Sequence, residues 1–190
     1  MNNPEKQSEQ SENEEKSAAR LEYEAGKEQM KDNNYALAAN SFHNALIGFE
    51  QENDENGIAN AANMLGDICA GKGDTEMALQ HYDRAYRICE KHADRFSLFD
   101  IEKKRAKLMH DAGRYDKAIE LYLDVLDEYS ALVNPKGSVE TLEILAEIYR
   151  KKGDLEKAAD SYRMAASIHK NFKHTRHAQA LLDKAAALEK

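Results

Sequence analysis

Residues 112–126 read AGRYDKAIELYLDVL. Forty positions earlier, residues 72–86 read KGDTEMALQHYDRAY; forty later, residues 152–166 read KGDLEKAADSYRMAA. Ala118 falls in line with Ala38, Ala78 and Ala158. Four positions on stand Phe42, Tyr82, Tyr122 and Tyr162, and three beyond those Ala45, Ala85, Val125 and Ala165. Five positions before the alanine column stand Asn33, Gly73, Gly113 and Gly153; twelve before it stand Gly26, Gly66, Ala106 and Ala146. Five columns held in one register are an internal repeat, and a repeat decides the architecture before any local propensity is weighed.

Each column has a physical task. Small residues at 26, 66, 106 and 146, and at 38, 78, 118 and 158, let two helices approach closely. The aromatics fill the space where a helix pair meets its neighbour, each burying about 150–250 Å². Gly or Asn at 33, 73, 113 and 153 ends the first helix in the left-handed conformation, which costs a Cβ-bearing residue most. Asp74 and Asp154 follow directly and can cap the second helix. Each unit is therefore read as helix A, a tight turn and helix B. The abundance of Ala, Leu, Glu and Lys and the lack of β-branched runs agree with an all-α chain.

The A-x-x-x-[FY]-x-x-A core and the turn glycine resemble the tetratricopeptide repeat family, over about residues 19–190. The unit is forty residues rather than the usual 34, so either the helices or the B-to-A connections are longer. In this it is similar to the repeats of kinesin light chains and of bacterial peptide-sensing regulators. The resemblance implies an α-solenoid of tandem helix-turn-helix repeats: 19–57, 58–98, 99–137 and 138–174, with Pro135 breaking the chain between the last two. Residues 176–190 are read as a capping helix, with Leu182, Ala185 and Ala186 in register with Leu142, Leu145 and Ala146. Residues 18–190 form the repeat domain in this reading.

Residues 2–17 carry no Val, Ile, Leu, Met or aromatic residue, so 1–17 is expected to be a disordered polar tail. The start has no apolar h-region and is not Arg-rich, so neither a secretory signal nor a transit peptide fits, and a cytoplasmic protein is expected. No apolar run is long enough to span a bilayer. The net charge of −8 argues against general nucleic-acid binding, which needs a positive surface. Cys69 and Cys89 lie late in antiparallel helices. At 1.5 Å rise this sets them roughly 15 Å apart, beyond disulfide reach.

No catalytic constellation stands out: no GxSxG, no phosphate-binding glycine loop, no HExxH. The run CAGKGD at 69–74 sits at an A–B turn and lacks the Ser or Thr of a phosphate loop. His169, His174 and His177 form the one histidine cluster, read as solvated among Lys170, Lys173 and Arg176; a metal would need a further ligand. The chain is read as a non-enzyme with no cofactor and no metal.

The family resemblance also places every helix A on a concave side. The helix-A positions turned away from helix B are Arg20, Tyr23 and Lys27; Asn60, Asn63 and Asp67; Lys103, Lys104 and Lys107; and Glu140, Glu143 and Glu147. Lys103 and Glu143, like Lys107 and Glu147, are forty apart. Adjacent helices lie roughly 8–10 Å apart, so these residues either form a charge ladder between repeats or line a polar groove that clamps a charged peptide. Some family members hold a partner's C-terminal carboxylate with a lysine–asparagine set. Asn63 could match one member and Lys27 or Lys107 supply charge, but Tyr23 and Asp67 break the pattern, and that activity is not carried over. The leading expectation is a module that binds another protein or peptide on the helix-A surface. Alternatives are a scaffold that self-assembles through its end faces, and a small-peptide sensor. A monomer or a weak homo-oligomer would fit, with no membrane partner.

Overall fold

The computed structural model describes residues 16–189. Residues 1–15 of the expected tail lie outside them. Ser17, also assigned to the tail, caps the first helix: its hydroxyl accepts a hydrogen bond from the Arg20 amide at 3.2 Å and donates one to Glu52 at 3.0 Å.

Among the described residues the regular structure is entirely helical: α1 (Ala18–Lys31), α2 (Tyr35–Glu52), α3 (Glu55–Gly71), α4 (Thr75–Lys91), α5 (Arg95–Asp111), α6 (Tyr115–Ala131), α7 (Pro135–Lys152), α8 (Leu155–Asn171) and α9 (Thr175–Ala187). From α2 onward a helix begins every twenty residues. One turn accounts for this spacing. Asn33, Asn53, Gly73, Ala93, Gly113, Val133, Gly153 and Lys173 all have φ between 50° and 82°. In each case the next residue's N–H bonds the carbonyl five positions back, at 2.8–3.0 Å, as in Asp74 to Cys69 and Asn134 to Tyr129. This is the Schellman closure, which satisfies the carbonyls orphaned at a helix end. The sequence shows it where Gly or Asn recurs every forty residues. The B-to-A turns use the same geometry with Ala93, Val133 and Lys173, so their side chains hide it. The forty-residue period thus comes from long helices, not long connections.

The N-caps follow suit. Asp54, Asp74, Asn134 and Asp154 each accept from the amide three residues on, at 2.9–3.2 Å. Pro135 starts α7, where its missing N–H would have been unpaired anyway.

The described chain divides into two compact units, at Arg95/Phe96. In the first, α1 pairs with α2, α3 with α4, and α2 packs on α3; in the second, α7 pairs with α8, which also carries α9, and α6 packs on α7. The repeat columns are the core. Ala38, Ala78, Ala118 and Ala158 are completely buried, as are Ala45, Ala85, Ala106, Ala146 and Ala165; Phe42, Tyr82, Tyr122 and Tyr162 are at most 6% exposed.

In the first unit the aromatics of this column lie on the small residues of their own hairpins. A Cβ on Gly26 would lie 2.8 Å from the Phe42 ring, and one on Gly66 2.5 Å from the Tyr82 ring. A second aromatic–glycine column joins one hairpin to the next. A Cβ on Gly57 would meet Phe49, and one on Gly137 would meet Tyr129, both at 2.4 Å. These pairs are eighty residues apart, and a forty-residue alignment passes over them.

Helix α9 buries Ala178, Leu181 and Ala185 against Ala159, Tyr162, Ala165 and Ala166. Leu182 is half-buried and Ala186 exposed. Ala186 sits in the column that meets a helix B, and α9 lacks that partner among the described residues. Only the face turned back toward α8 is covered. The two cysteines form no disulfide.

Candidate functional site

The expected surface residues occupy exposed or half-buried positions on α1, α3, α5 and α7. In the first unit Arg20, Tyr23 and Lys27 come together. Arg20 and Lys27 flank Glu24 at 3.1 and 3.3 Å, and both cations lie over the Tyr23 ring, 5.5 and 5.6 Å from its centroid. Tyr23 is itself held by Phe42 and Phe49, with centroids 5.5 and 6.3 Å away. The bond from Lys27, offset in part by burial, holds the Glu24 carboxyl below its ordinary range. On α3, Asn60 is exposed and Asn63 and Asp67 half-buried. Asp67 accepts a hydrogen bond from the Tyr82 hydroxyl at 2.8 Å.

In the second unit the α5 lysines pair within their own helix, while Glu143 and Glu147 of α7 also reach partners on other helices. Lys103 and Lys104 both reach Asp100 at 3.4 Å, and Lys107 pairs with Asp111 at 2.5 Å. Lys103 also lies 5.1 Å from the centroid of Phe99. Glu140 faces Lys136 at 3.9 Å, and Glu143 accepts from Lys184 of α9 at 3.0 Å. Glu147 accepts from Arg150 at 2.7 Å and from the Tyr162 hydroxyl. Lys103–Glu143 and Lys107–Glu147 therefore do not bridge. For these lysines, a partner one helical turn away costs less side-chain entropy than one across a helix gap.

Asp67 and Glu147 share a role that sequence spacing could not show. Each accepts from the buried tyrosine of its own hairpin, fifteen residues on. A tyrosine buried in an apolar column still needs an acceptor for its hydroxyl, and the acid supplies it from the rim. The Tyr162 bond, the largest influence, and Arg150 hold the Glu147 carboxyl below its ordinary range. Repeat three carries Lys107 at this position, and burial pushes the Tyr122 hydroxyl up to about 12.

Glu140 and Glu143 line a pocket of about 430 Å³ between α7 and α8, with Pro135, Val139, Ile168 and Phe172 as its apolar wall. His169 and His174 close one side. Among the described residues no group of three or more His, Cys, Asp or Glu is placed to hold a metal ion. None of their helices is long and apolar enough to cross a membrane.

The tetratricopeptide repeat model matches residues 28–91 and 98–171. The chain belongs to the tetratricopeptide repeat family. Its fold is thus that of a protein-binding repeat scaffold. No curated protein sequence matches it significantly. Among solved structures, it is similar to the nearly identical TPR-like repeats assigned to a kinesin light chain of Podosopora anserina. There the TM-score is 0.63 at 14% identity, over 90% of this chain and 94% of that one. The apo form of RapI gives a TM-score of 0.76 at 15% identity, over 97% of this chain and 53% of that one. A Rap protein complexed with Competence and Sporulation Factor gives 0.60 at 18% identity, over 90% and 51%. The chain spans about half the length of these Rap proteins. At these identities the likeness is one of fold.

Proposed function

We propose that this chain is a protein-interaction module that takes a peptide segment of a partner on its helix-A surface, the concave side implied by the family resemblance. The observation that carries the reading is the pocket of about 430 Å³ beside α7, where Glu140 and Glu143 stand at the edge of an apolar wall. Such a site accepts one apolar side chain of an extended peptide, and the flanking charges orient the main chain. In the second unit Lys103, Lys104, Lys107 and Glu147 would contact other parts of such a ligand; Arg20, Tyr23, Lys27, Asn60, Asn63 and Asp67 are the corresponding candidate contacts of the first unit taken by itself. A Rap conjugation regulator of similar fold has been solved in complex with the Phr* peptide, which supports a peptide as the ligand class.

A displayed library of random dodecapeptides, selected on the immobilised chain, tests this. The expected result is a family of peptides sharing an apolar anchor, whose affinity falls severalfold for Phe172→Ser, at an exposed residue of the pocket wall, and changes with Glu143→Lys. No enrichment above background, or enriched peptides indifferent to both substitutions, would remove the proposal.

A further inference from the structure

Two of the seams between hairpins are built alike. Phe49 packs on Gly57, and Tyr129 packs on Gly137. Forty residues after Tyr129 and Gly137 stand His169 and His177. Their rings lie 5.2 Å apart at 33°. His174, the N-cap of α9, lies 5.6 Å from His169 and 6.1 Å from His177, centroid to centroid. The Nδ1 atoms of His169 and His174 are 3.4 Å apart. So where those two seams set an aromatic ring on a glycine, the seam beside α9 carries a cluster of three imidazoles, with His169 half-buried and His174 and His177 exposed.

The charges around this cluster are mostly positive. The sequence holds no Asp or Glu between Asp160 and Asp183, while Lys170, Lys173 and Arg176 fall inside that stretch. From α7 the seam is faced by Lys136, Glu140 and Glu143. Glu140 is engaged by Lys136, and Glu143 by Lys184 of α9. An added proton on any imidazole therefore meets cations and already neutralised acids. His174 makes no side-chain cap bond at the start of α9.

We propose that the α8–α9 seam is an acid-sensitive latch: α9 stays docked while the imidazole cluster around His169 is uncharged and loosens as positive charge builds up on it. Three imidazoles within about 6 Å cannot all become cationic without repulsion, and histidine is the side chain that changes charge near pH 6. Burial, then His177 and His174, hold the His169 imidazole below its ordinary range, and Glu143 pulls the other way. A base whose folded pKa is lowered favours the folded state fully above its ordinary value of 6.5, and that contribution drains as pH falls through it. Loosening α9 would uncover the apolar face formed by Ala159, Tyr162, Ala165 and Ala166.

Amide hydrogen exchange on the full chain tests the latch, read by mass spectrometry between pH 7.5 and 5.5 with intrinsic rates divided out. Protection over residues 176–187 should fall severalfold relative to α7. His81 and His110 are also held low by burial, so a local readout is needed rather than a global one. The double variant His169→Tyr/His177→Gly writes the Tyr129/Gly137 pair into this seam and should keep α9 protected across the range. Should that variant leave α9 unprotected even at pH 7.5, His174→Asp serves instead: a carboxylate between the remaining imidazoles offsets their positive charge in the docked state, so the midpoint of α9 release should move to lower pH. Unchanged protection of α9 in the natural chain, equal loss in the double variant, or an unmoved midpoint in His174→Asp would each overturn the latch.

Discussion

The ring of Tyr82 fills the space that a side chain at Gly66 would need: a Cβ there would sit 2.5 Å from the ring edge. Two columns of the repeat, sixteen residues apart, are thus one contact. The small residue exists because the aromatic lies on it, and the aromatic is buried because nothing projects beneath it.

Gly66→Ala should therefore destabilise the first unit by about 1–3 kcal/mol, the ordinary cost of overpacking, despite alanine's better helix propensity. Gly71, in the same helix, has nothing within 4 Å of its would-be Cβ and no positive φ. Gly71→Ala should be neutral or stabilising by up to about 1 kcal/mol. Urea unfolding of both variants checks the pair, and the opposite signs are the prediction.

Val133 is a β-branched residue with φ 50°, and it is 83% exposed. It holds the left-handed turn between α6 and α7 without making a buried contact in return. Val133→Gly should raise stability by about 1 kcal/mol, since the left-handed conformation costs an L-residue about 1–2 kcal/mol. Gly153→Val, at the same place in the next turn, should lose at least as much. Thermal melts of the two variants should shift in opposite directions.

Tyr162→Phe removes the hydroxyl that Glu147 accepts from. At neutral pH the loss should be about 1 kcal/mol. The Glu147 pKa is lowered in the folded chain, first by this bond. Its contribution is thus present above the ordinary value near 4.5 and is lost as pH falls through the folded value. The gap in stability between the natural chain and Tyr162→Phe should accordingly narrow below about pH 4.5. Unfolding midpoints measured from pH 7 to 3 would show it.

Lys103 and Glu143 do not pair, so a double-mutant cycle on Lys103→Ala and Glu143→Ala should give a coupling below about 0.3 kcal/mol. Glu143 with Lys184 should give a positive coupling of up to about 1 kcal/mol, the range of an exposed pair. Chemical denaturation of the single and double variants yields both numbers.

The helical hairpins, their order and their buried columns were legible in the amino-acid sequence alone. Ala38 and Tyr82 recur at fixed spacing because each must face the same neighbour in every copy, and periodicity writes such a contact into one dimension. It could not show the B-to-A turns, where Ala93, Val133 and Lys173 take a conformation that tertiary packing and the Schellman bonds impose against local preference. Nor could it show that Asp67 and Glu147 serve buried tyrosines, or that Lys103 turns to Asp100 instead of Glu143. Those choices depend on which of several reachable partners lies nearest once the helices have packed, and only the tertiary structure decides that distance.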